Sequence, residues 1–455
     1  MAKKGSVFIC QSCAYRSPKW LGRCPECGEW STFLEEARPQ AQPGSGAGAL
    51  GRRRAEAAEV TLLGEVAEEG VSRFPSGLEL VDRVLGGGIV DSASTLLAGE
   101  PGIGKSTLLL QIGRSLAKAG APVLYATAEE SPRQLRLRAE RLGGGGVDLM
   151  VAGETKLEPL LAAVEASRPR VLLVDSVQAL RSADLDGPPG SVGQVRHCAD
   201  RLTELCRERR IALFLVGHVT KEGAIAGPKS LEHLVDTVLT FEGEGAGEYR
   251  VLRAQKNRFG PTGEVAMFEM RDTGLAEVLD PSRVLLALRR DHRPGSSVLA
   301  SLHGARPLLV EVQALVHETS FPSPRRMAVG LDANRVTLLV AVLERFGELS
   351  LAGHDLFLNV VGGLAIKEPA ADLAVAAAVL SAARERALPA GAAFFGEVGL
   401  LGEIRPVART EARLREVAAL GFDRAFVPRL EKSRPPEGLA LVEVEDLADL
   451  GRRLL

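Results

Sequence analysis

Residues 94–107 read STLLAGEPGIGKST, and this stretch decides how the rest of the chain is interpreted. A short apolar run ends at a loop with Gly99, Gly102 and Gly104, and an apolar helical pattern follows. The pattern G-x-x-x-x-G-K-[ST] between a strand and a helix is typical of a loop that binds nucleotide phosphates. Its glycines let backbone N–H groups turn towards phosphates, and the helix N-terminus adds a positive dipole. The stretch therefore predicts an ATP or GTP site rather than an ordinary glycine-rich turn.

The residues of this loop have separate roles in the prediction. Lys105 would reach the β- and γ-phosphates, and the Ser106 hydroxyl would ligate Mg²⁺. Backbone N–H groups would surround the phosphates, so the whole loop is assigned to the nucleotide. The predicted contact set is Gly99, Glu100, Pro101, Gly102, Ile103, Gly104, Lys105, Ser106 and Thr107.

A second apolar pattern, VLLVD at residues 171–175, predicts a buried strand that ends in a carboxylate. Behind a phosphate loop, Asp175 is suited to hold Mg²⁺ through water. Ser176 follows it, so the base that activates the attacking water must come from elsewhere in the chain.

Two acids follow the strand pattern at residues 123–128. Because the carboxyl ends of parallel strands face the ligand crevice, either Glu129 or Glu130 can point at the γ-phosphate, and we predict Glu129 as the base. The alternative is that both acids only favour the start of the next helix. His218 ends another strand pattern and would sense the γ-phosphate.

Length and composition limit the possible classes of protein. The chain has 455 residues, is 45% hydrophobic and carries a net charge of −2, so two or three packed domains are expected and any nucleic-acid binding must use local patches. The two lysines near the start are followed by too short an apolar run for a signal peptide, and no apolar run approaches a membrane span. These features predict a soluble cytoplasmic protein without a membrane partner.

Four of the six cysteines lie within the first 27 residues, as two C-x-x-C pairs ten residues apart. Two such pairs can hold zinc tetrahedrally, and metal would supply the folding energy of so small a module. A redox dithiol is the alternative. The predicted zinc ligands are Cys10, Cys13, Cys24 and Cys27, whereas Cys198 and Cys206 are expected to fill a core.

The organisation along the chain follows from composition and periodicity. We predict a zinc module at residues 1–35, a linker at 36–59, a nucleotide-binding domain at 60–280 and a further domain at 285–455. Strand patterns alternate with helical patterns through the second domain, which predicts an α/β fold with a parallel sheet. The strand patterns lie at residues 94–99, 123–128, 171–175, 213–217 and 237–241.

The segment KNRFG at residues 256–260 carries two cations on an extended pattern. Lys256 and Arg258 point the same way in a strand, so they could act as fingers on a neighbouring subunit's γ-phosphate. A basic strand tip before a turn is the alternative. The loops at residues 181–193 and 220–230 are candidates for DNA contact because they are glycine-rich and follow strands of the predicted sheet.

Several stretches together resemble the RadA (Sms) family of bacterial DNA repair proteins. These are FPSGLELVDRVLGGG at 74–88, GEPGIGKST at 99–107, VLLVDS at 171–176, GHVTKEG at 217–223 and KNRFG, behind a four-cysteine module. The resemblance covers essentially the whole chain, and DSA at 91–93 departs from the expected Pro-Gly turn. It implies a RecA-like ATPase core, a hexamer, and a DNA-dependent, helicase-like motor on single-stranded and branched DNA beside a RecA-type recombinase. Within that motor, Lys105, Glu129, Asp175, Lys256 and Arg258 would be the catalytic residues, with ATP, Mg²⁺ and Zn²⁺ as cofactors.

The region from residue 285 resembles the proteolytic domain of Lon proteases, an α+β domain, but departs from its catalytic residues. A methyl group at Ala370 replaces the nucleophile, and Glu411 replaces the lysine, so protease activity is not expected. A basic surface for DNA is the expected use of this domain. Its candidate residues are Lys367, Arg384, Arg386, Arg405, Arg409 and Arg413. A RecA-like signalling or timing ATPase that does not translocate on DNA remains the alternative function.

Overall fold

The structure is a computed structural model. It describes residues 6–10, 15–26, 28, 30, 33–37, 72–143, 148–218, 229–243, 249–287, 289, 293–319, 323–430 and 434–454. Most of the predicted linker at 36–59 lies outside the described residues.

The N-terminal module is a small antiparallel sheet of three strands. They are β1 (Ser6–Cys10), β2 (Arg16–Ser17) and β3 (Phe33–Ala37), in the order β2-β1-β3. Its core contains Cys10, Cys24 and Phe33, with Phe8 and Leu21 packed against them. With so few apolar side chains in this cluster, the described part of the module has little hydrophobic stabilisation of its own.

A nine-stranded sheet forms the centre of the molecule. Its strands are β6 (Ser94–Gly99), β7 (Val123–Thr127), β8 (Met150–Ala152), β9 (Val171–Asp175), β10 (Ala212–His218), β11 (Thr237–Glu242), β12 (Tyr249–Asn257), β13 (Val265–Arg271) and β14 (Gly274–Glu277). Their order is β14-β13-β12-β11-β6-β10-β9-β7-β8. Neighbours from β11 to β8 pair in parallel, and β12, β13 and β14 extend the sheet antiparallel. The predicted parallel strands are confirmed within two residues at each end.

Helices cover both faces of this sheet, since successive residues of a strand point to opposite faces. Leu97 of β6 joins one hydrophobic cluster, whereas Leu96 and Ala98 join another. This explains why the parallel strands are almost continuously apolar. The helices are α1 (Glu79–Val84), α2 (Lys105–Lys118), α3 (Pro132–Arg141), α4 (Leu157–Ser167), α5 (Val192–Glu208) and α6 (Lys229–Glu232), and a short hairpin, β4 (Arg73–Phe74) with β5 (Ile89–Val90), flanks α1.

Cys198 and Cys206 lie buried in α5, as expected of core residues. Burial raises the pKa of each thiol to about 12, so both remain protonated and unreactive near neutral pH.

The C-terminal region forms a second, seven-stranded mixed sheet with helices. It contains α7 (Pro281–Leu286), β15 (Ser296–His303), β16 (Arg306–Glu318), β17 (Arg326–Val329), α8 (Ala333–Phe346), β18 (His354–Val360), α9 (Asp372–Ala383), β19 (Ala392–Phe394), β20 (Glu397–Val398), β21 (Ile404–Arg405), α10 (Thr410–Ala419), β22 (Arg424–Pro428), β23 (Ala440–Val444) and α11 (Leu447–Arg453). The sheet order is β17-β18-β16-β15-β19-β22-β23, and β20 pairs with β21 as a separate hairpin.

The two sheets share a hydrophobic cluster. Val251 of β12, together with Val265 and Met267 of β13, packs in the same cluster as the C-terminal core. The antiparallel extension of the central sheet therefore joins the nucleotide-binding domain to the C-terminal domain.

Candidate nucleotide-binding site

The phosphate loop connects β6 to α2 as the sequence predicts. Gly102 and Gly104 have φ angles of +79° and +113°, which non-glycine residues rarely adopt. A Cβ atom built on Gly102 has no heavy atom within 4 Å, so this part of the loop borders open space. The loop therefore has the backbone freedom and the room that a bound phosphate chain requires.

Lys105 is the first residue of α2 and is 3% exposed. Its Nζ donates to the carbonyl oxygens of Gly99 and Glu100, each at 2.8 Å. Burial lowers the pKa of Lys105 to about 8, against the opposite influence of Asp175, Glu129 and Glu100. A buried ammonium at the start of a helix suits an anionic phosphate as a further partner.

Asp175 ends β9 and is held by two hydroxyl groups. The Ser106 hydroxyl donates to its Oδ1 at 3.1 Å, and the Tyr125 hydroxyl donates to its Oδ2 at 2.7 Å. Burial and the neighbouring carboxylate raise the pKa of Tyr125 well above its usual value, so this phenol stays a donor. The carboxylate and hydroxyl oxygens of Asp175 and Ser106 are hard ligands that fit Mg²⁺.

Glu129 and Glu130 follow β7 but have different partners. Glu129 accepts a hydrogen bond from the Ser176 hydroxyl and is close enough to Lys105 to influence its pKa. Glu130 forms an ion pair with Arg138. The following helix is capped by Ser131, whose hydroxyl accepts from Gln134 N at 3.3 Å in a capping box, so neither glutamate caps that helix. Of the two, Glu129 faces the phosphate loop.

The peptide bond between Asp175 and Ser176 is cis, and a 3₁₀ turn follows at Val177–Ala179. Gln178 in this turn has buried amide atoms with no hydrogen-bond partner among the described residues, and its Nε2 lies 3.8 Å from a Cβ built on Gly217. His218 ends β10, and its Cα is paired with that of Gly99 in the sheet register. Gln178 was not predicted as part of this region.

Two further residues were not predicted from the sequence. Tyr125 lies in an apolar strand pattern where a tyrosine is most often a core residue. The parallel register pairs it with Leu173, two residues before Asp175, and its hydroxyl reaches the Asp175 carboxylate from there. Arg250 on β12 is 5% exposed, and its Nε donates to the carbonyl oxygen of Ile103 at 3.1 Å, so it supports the phosphate loop from the adjacent part of the sheet.

Lys256 and Arg258 lie beside the opposite end of β6 from the phosphate loop. Asn257 pairs with Thr237, which pairs with Thr95 at the start of β6, whereas the phosphate loop begins after Gly99. At the rise of a strand, Thr95 and Gly99 are about 13 Å apart.

The two cations contact the segment between α6 and β11. Lys256 Nζ donates to the carbonyl oxygens of Glu232 and Val235 at 2.6 and 2.7 Å. Arg258 pairs with Asp236 at 3.1 Å while its side chain is 55% exposed. Burial, followed by the charge of Arg258, lowers the pKa of Lys256.

The two loops proposed to contact DNA are described unequally. At the start of the 181–193 loop, the Ser182 hydroxyl donates to Glu158 Oε1 at 2.6 Å, and Gln194 Oε1 accepts from Ser182 N at 2.8 Å. The 220–230 loop, including Lys221, lies outside the described residues apart from the backbone of residues 229 and 230, where α6 begins.

The candidate zinc site is partly described. Cys10 and Cys24 are 0% and 1% exposed in the core of the N-terminal module, whereas Cys13 and Cys27 lie outside the described residues. Gly28 has a φ of +75°, and its N–H donates to the Cys24 carbonyl at 2.9 Å, as a metal-binding knuckle requires. The buried thiols and this turn fit a zinc ion.

The C-terminal domain has no protease dyad at the expected positions. Ala370 is buried in a 3₁₀ turn at Pro369–Ala371, and Glu411 is exposed in the first turn of α10. The expected basic surface needs a correction at Arg413, which is 1% exposed and pairs with Glu368 at 2.5 Å. Arg413 lies on the buried side of its helix, so it binds a structural carboxylate and is unavailable to DNA.

These observations define a class of protein. Three features lie at the carboxyl ends of the strands in a mostly parallel sheet. They are a phosphate loop between β6 and α2, a carboxylate at the end of β9 and a second carboxylate after β7. That combination is a RecA-like P-loop ATPase core, here preceded by a cysteine-rich module and followed by a second α/β domain.

Comparison with known proteins gives the family. Residues 65–224 match the AAA domain family, and residues 8–35 match the rubredoxin metal binding domain family. The chain is 46% identical to the DNA repair protein RadA of Bacillus subtilis, with all of both chains covered. It is also 46% identical to the RadA proteins of Pseudomonas aeruginosa, with 98% of each chain covered, and of Aquifex aeolicus, with 94% of each chain covered. The chain belongs to the RadA family of DNA repair proteins.

A solved KaiC-like protein from Pyrococcus horikoshii is a more distant match, 21% identical over 46% of this chain and all of its own, with a TM-score of 0.38. Within the described part of the chain, no helix has both the length and the apolar character that crossing a membrane requires.

Proposed function

We propose that this chain is a DNA-dependent ATPase that works as a hexameric, helicase-like motor on recombination intermediates. Its substrates would be ATP together with single-stranded and branched DNA, and its functional partner a RecA-type recombinase in the cytoplasm. The observation that carries the motor proposal is the separation of Lys256 and Arg258 from the phosphate loop of their own chain. Because these two cations lie beside the other end of β6, they could take part in hydrolysis only by reaching the nucleotide of a neighbouring subunit.

Each residue then has a role in ATP hydrolysis. Lys105 holds the phosphates, while Ser106 and Asp175 hold Mg²⁺, and Tyr125 fixes the orientation of Asp175. Bound Mg²⁺ supplies charge neutralisation at the phosphates. Glu129 accepts the proton of the attacking water, and Ser176 orients its carboxylate.

The neighbouring subunit completes the site across the interface. Arg258, which is more than half exposed, reaches the γ-phosphate, and Lys256 accompanies it. His218, at the end of β10 beside Gly99, responds to the γ-phosphate. The four cysteines Cys10, Cys13, Cys24 and Cys27 hold a structural zinc ion.

The test is steady-state ATP hydrolysis with and without single-stranded DNA, using Lys105→Ala as the blank. DNA should raise the rate, and the stimulation should weaken as salt rises because phosphate contacts release counterions. A rate that stays the same at all DNA concentrations would contradict the motor and favour the signalling or timing ATPase. Branched substrates then separate a motor that moves junctions from a DNA-stimulated ATPase that does not.

A further inference from the structure

Both tryptophans of the chain lie on the surface of the N-terminal module. Trp20 is 51% exposed and Trp30 is 71% exposed, and the chain has no other tryptophan. Large aromatic side chains usually bury most of their surface. The core of this module consists of other residues, so packing of the module does not account for the two indole rings.

The two rings both approach one small residue, Gly22. A Cβ atom built on Gly22 would lie 3.7 Å from Cζ3 of Trp20 and 3.8 Å from Cζ3 of Trp30. Trp30 is joined to Arg23 by an antiparallel bridge, and the Arg23 guanidinium lies 5.9 Å from the centre of the Trp30 ring. We call Lys19, Trp20, Gly22, Arg23 and Trp30 the tryptophan surface.

Two cations belong to the tryptophan surface. Lys19 and Arg23 are both exposed, and Arg23 is held in place because its Nε donates to the Gly28 carbonyl at 2.9 Å. Exposed aromatic rings with adjacent cations are the combination by which proteins bind single-stranded nucleic acid, since bases stack on the rings and phosphates contact the cations.

The two candidate DNA loops have no aromatic side chain on which a base could stack. The candidate DNA loops at residues 181–193 and 220–230 contain no aromatic residue in their sequences, so they offer phosphate contacts without base stacking. We infer that Trp20 and Trp30 form a base-stacking platform for single-stranded DNA, with Lys19 and Arg23 contacting the phosphates. This inference rests on the proposed function, because it adds a second DNA contact to the same ATPase.

The position of both tryptophans provides a direct test. Intrinsic tryptophan fluorescence of the zinc-loaded full chain reports only on this surface, and a labelled oligodeoxythymidine reports total DNA binding by anisotropy. Titration should quench the fluorescence in parallel with the rise in anisotropy. Affinity should fall in the order Trp, Phe, Leu at position 20 and at position 30, with about a five- to hundred-fold loss for leucine. Leu401→Ala, at a residue 77% exposed in the C-terminal domain, is the matched control and should bind as the parent does.

The possible failures are distinguishable. If anisotropy rises while fluorescence and the Trp, Phe, Leu series stay unchanged, the stacking platform is wrong and the proposed DNA-dependent ATPase stands. If neither anisotropy nor ATP hydrolysis responds to DNA, the proposed function itself fails. If the leucine variants bind DNA normally but lose binding to a recombinase, the surface serves a protein partner and the inference is overturned. Zinc content measured for each variant ensures that a loss of affinity is not a loss of the module.

Discussion

Glu129 and Glu130 are adjacent in sequence, yet their side chains have different partners and are expected to have different functions. The carboxylate of Glu130 is neutralised by Arg138, whereas that of Glu129 accepts from Ser176, the residue after Asp175, which we propose holds Mg²⁺. A general base needs an ionised carboxylate directed at the reacting group. An ion pair with a nearby arginine directs the carboxylate towards that arginine instead. These partners are consistent with Glu129, the acid that the sequence analysis preferred, as the proposed base.

Exchanging each acid for its amide tests this assignment. We expect Glu129→Gln to lower the rate of ATP hydrolysis by about 10²- to 10⁴-fold while ATP binding is kept, because only the proton acceptor is lost. Glu130→Gln is the matched control and should change the rate several-fold at most, since it removes a partly buried ion pair with Arg138 and leaves Glu129 in place. Single-turnover hydrolysis and equilibrium binding of a fluorescent ATP analogue measure the two quantities. Equal losses in both variants, or a larger loss in Glu130→Gln, would contradict the assignment.

Individual residues also show where sequence reasoning reaches its limit. Lys105, Ser106 and Asp175 were predictable because their roles follow from a local pattern between a strand and a helix. Tyr125 was not, since its contact with Asp175 depends on how two strands separated by about 50 positions pair in the sheet. Arg413 was misjudged for a similar reason: its partner Glu368 is distant in sequence, and a charged residue on a helix is by default assumed to face solvent.

At the level of elements, the parallel strands were predictable and the antiparallel extension was not. Strands buried on both faces are continuous apolar runs, and these stand out in the sequence. Strands β12, β13 and β14 mix apolar with charged residues, such as Arg250, Arg253 and Lys256 in β12, and resemble surface segments. The extension nevertheless positions the site, since one end of β12 contacts the phosphate loop through Arg250 and the other end carries Lys256.

An ion pair with a buried carboxylate lies beside the turn that contains Ala370. Asp372, the first residue of α9, is 2% exposed, and it accepts from Arg335 Nε and from Val398 N, both at 3.0 Å. Burial raises the pKa of Asp372, and the Arg335 guanidinium opposes that rise. The turn is therefore held by a structural carboxylate two residues after Ala370.

We expect Arg335→Ala to destabilise the C-terminal domain by about 2–3 kcal/mol, because it leaves a buried carboxylate without its cation. This expected loss of stability is small for the removal of one partner of a buried ion pair, because the Arg335 side chain is 34% exposed and its charge is partly screened by solvent. The control is Arg405→Ala, which removes an exposed pair with Glu403 and should cost about 1 kcal/mol or less. Urea unfolding followed by circular dichroism measures both variants. If Arg335→Ala and Arg405→Ala unfold at the same urea concentration, the buried pair contributes little to the free energy of unfolding.

On the scale of the whole molecule, the shared hydrophobic cluster links the C-terminal domain to the strand that carries the proposed fingers. Val251 packs in the C-terminal core and lies in the same strand as Lys256. Through β12, a displacement of the C-terminal domain would also move Lys256 and, directly after the strand, Arg258. This arrangement offers a route by which DNA held by one domain would change the interface at which we propose that ATP is hydrolysed.

Whether hydrolysis needs two subunits can be decided by mixing two inactive variants. Lys105→Ala removes the phosphate contact but keeps the fingers, and Arg258→Ala keeps the phosphate loop but lacks a finger. In a ring of head-to-tail subunits mixed at equal amounts, roughly a quarter of the sites combine an intact loop with an intact finger. We expect the mixture to regain about that share of the parent's DNA-stimulated rate once subunits have exchanged, while each variant alone stays at the background.

Mixing Lys105→Ala with a Lys105→Ala, Arg258→Ala double variant is the control and should give no recovery. If the two single variants also fail to recover activity although light scattering shows mixed rings, Arg258 does not act across the interface, and the separation of Lys256 and Arg258 from their own phosphate loop needs another explanation.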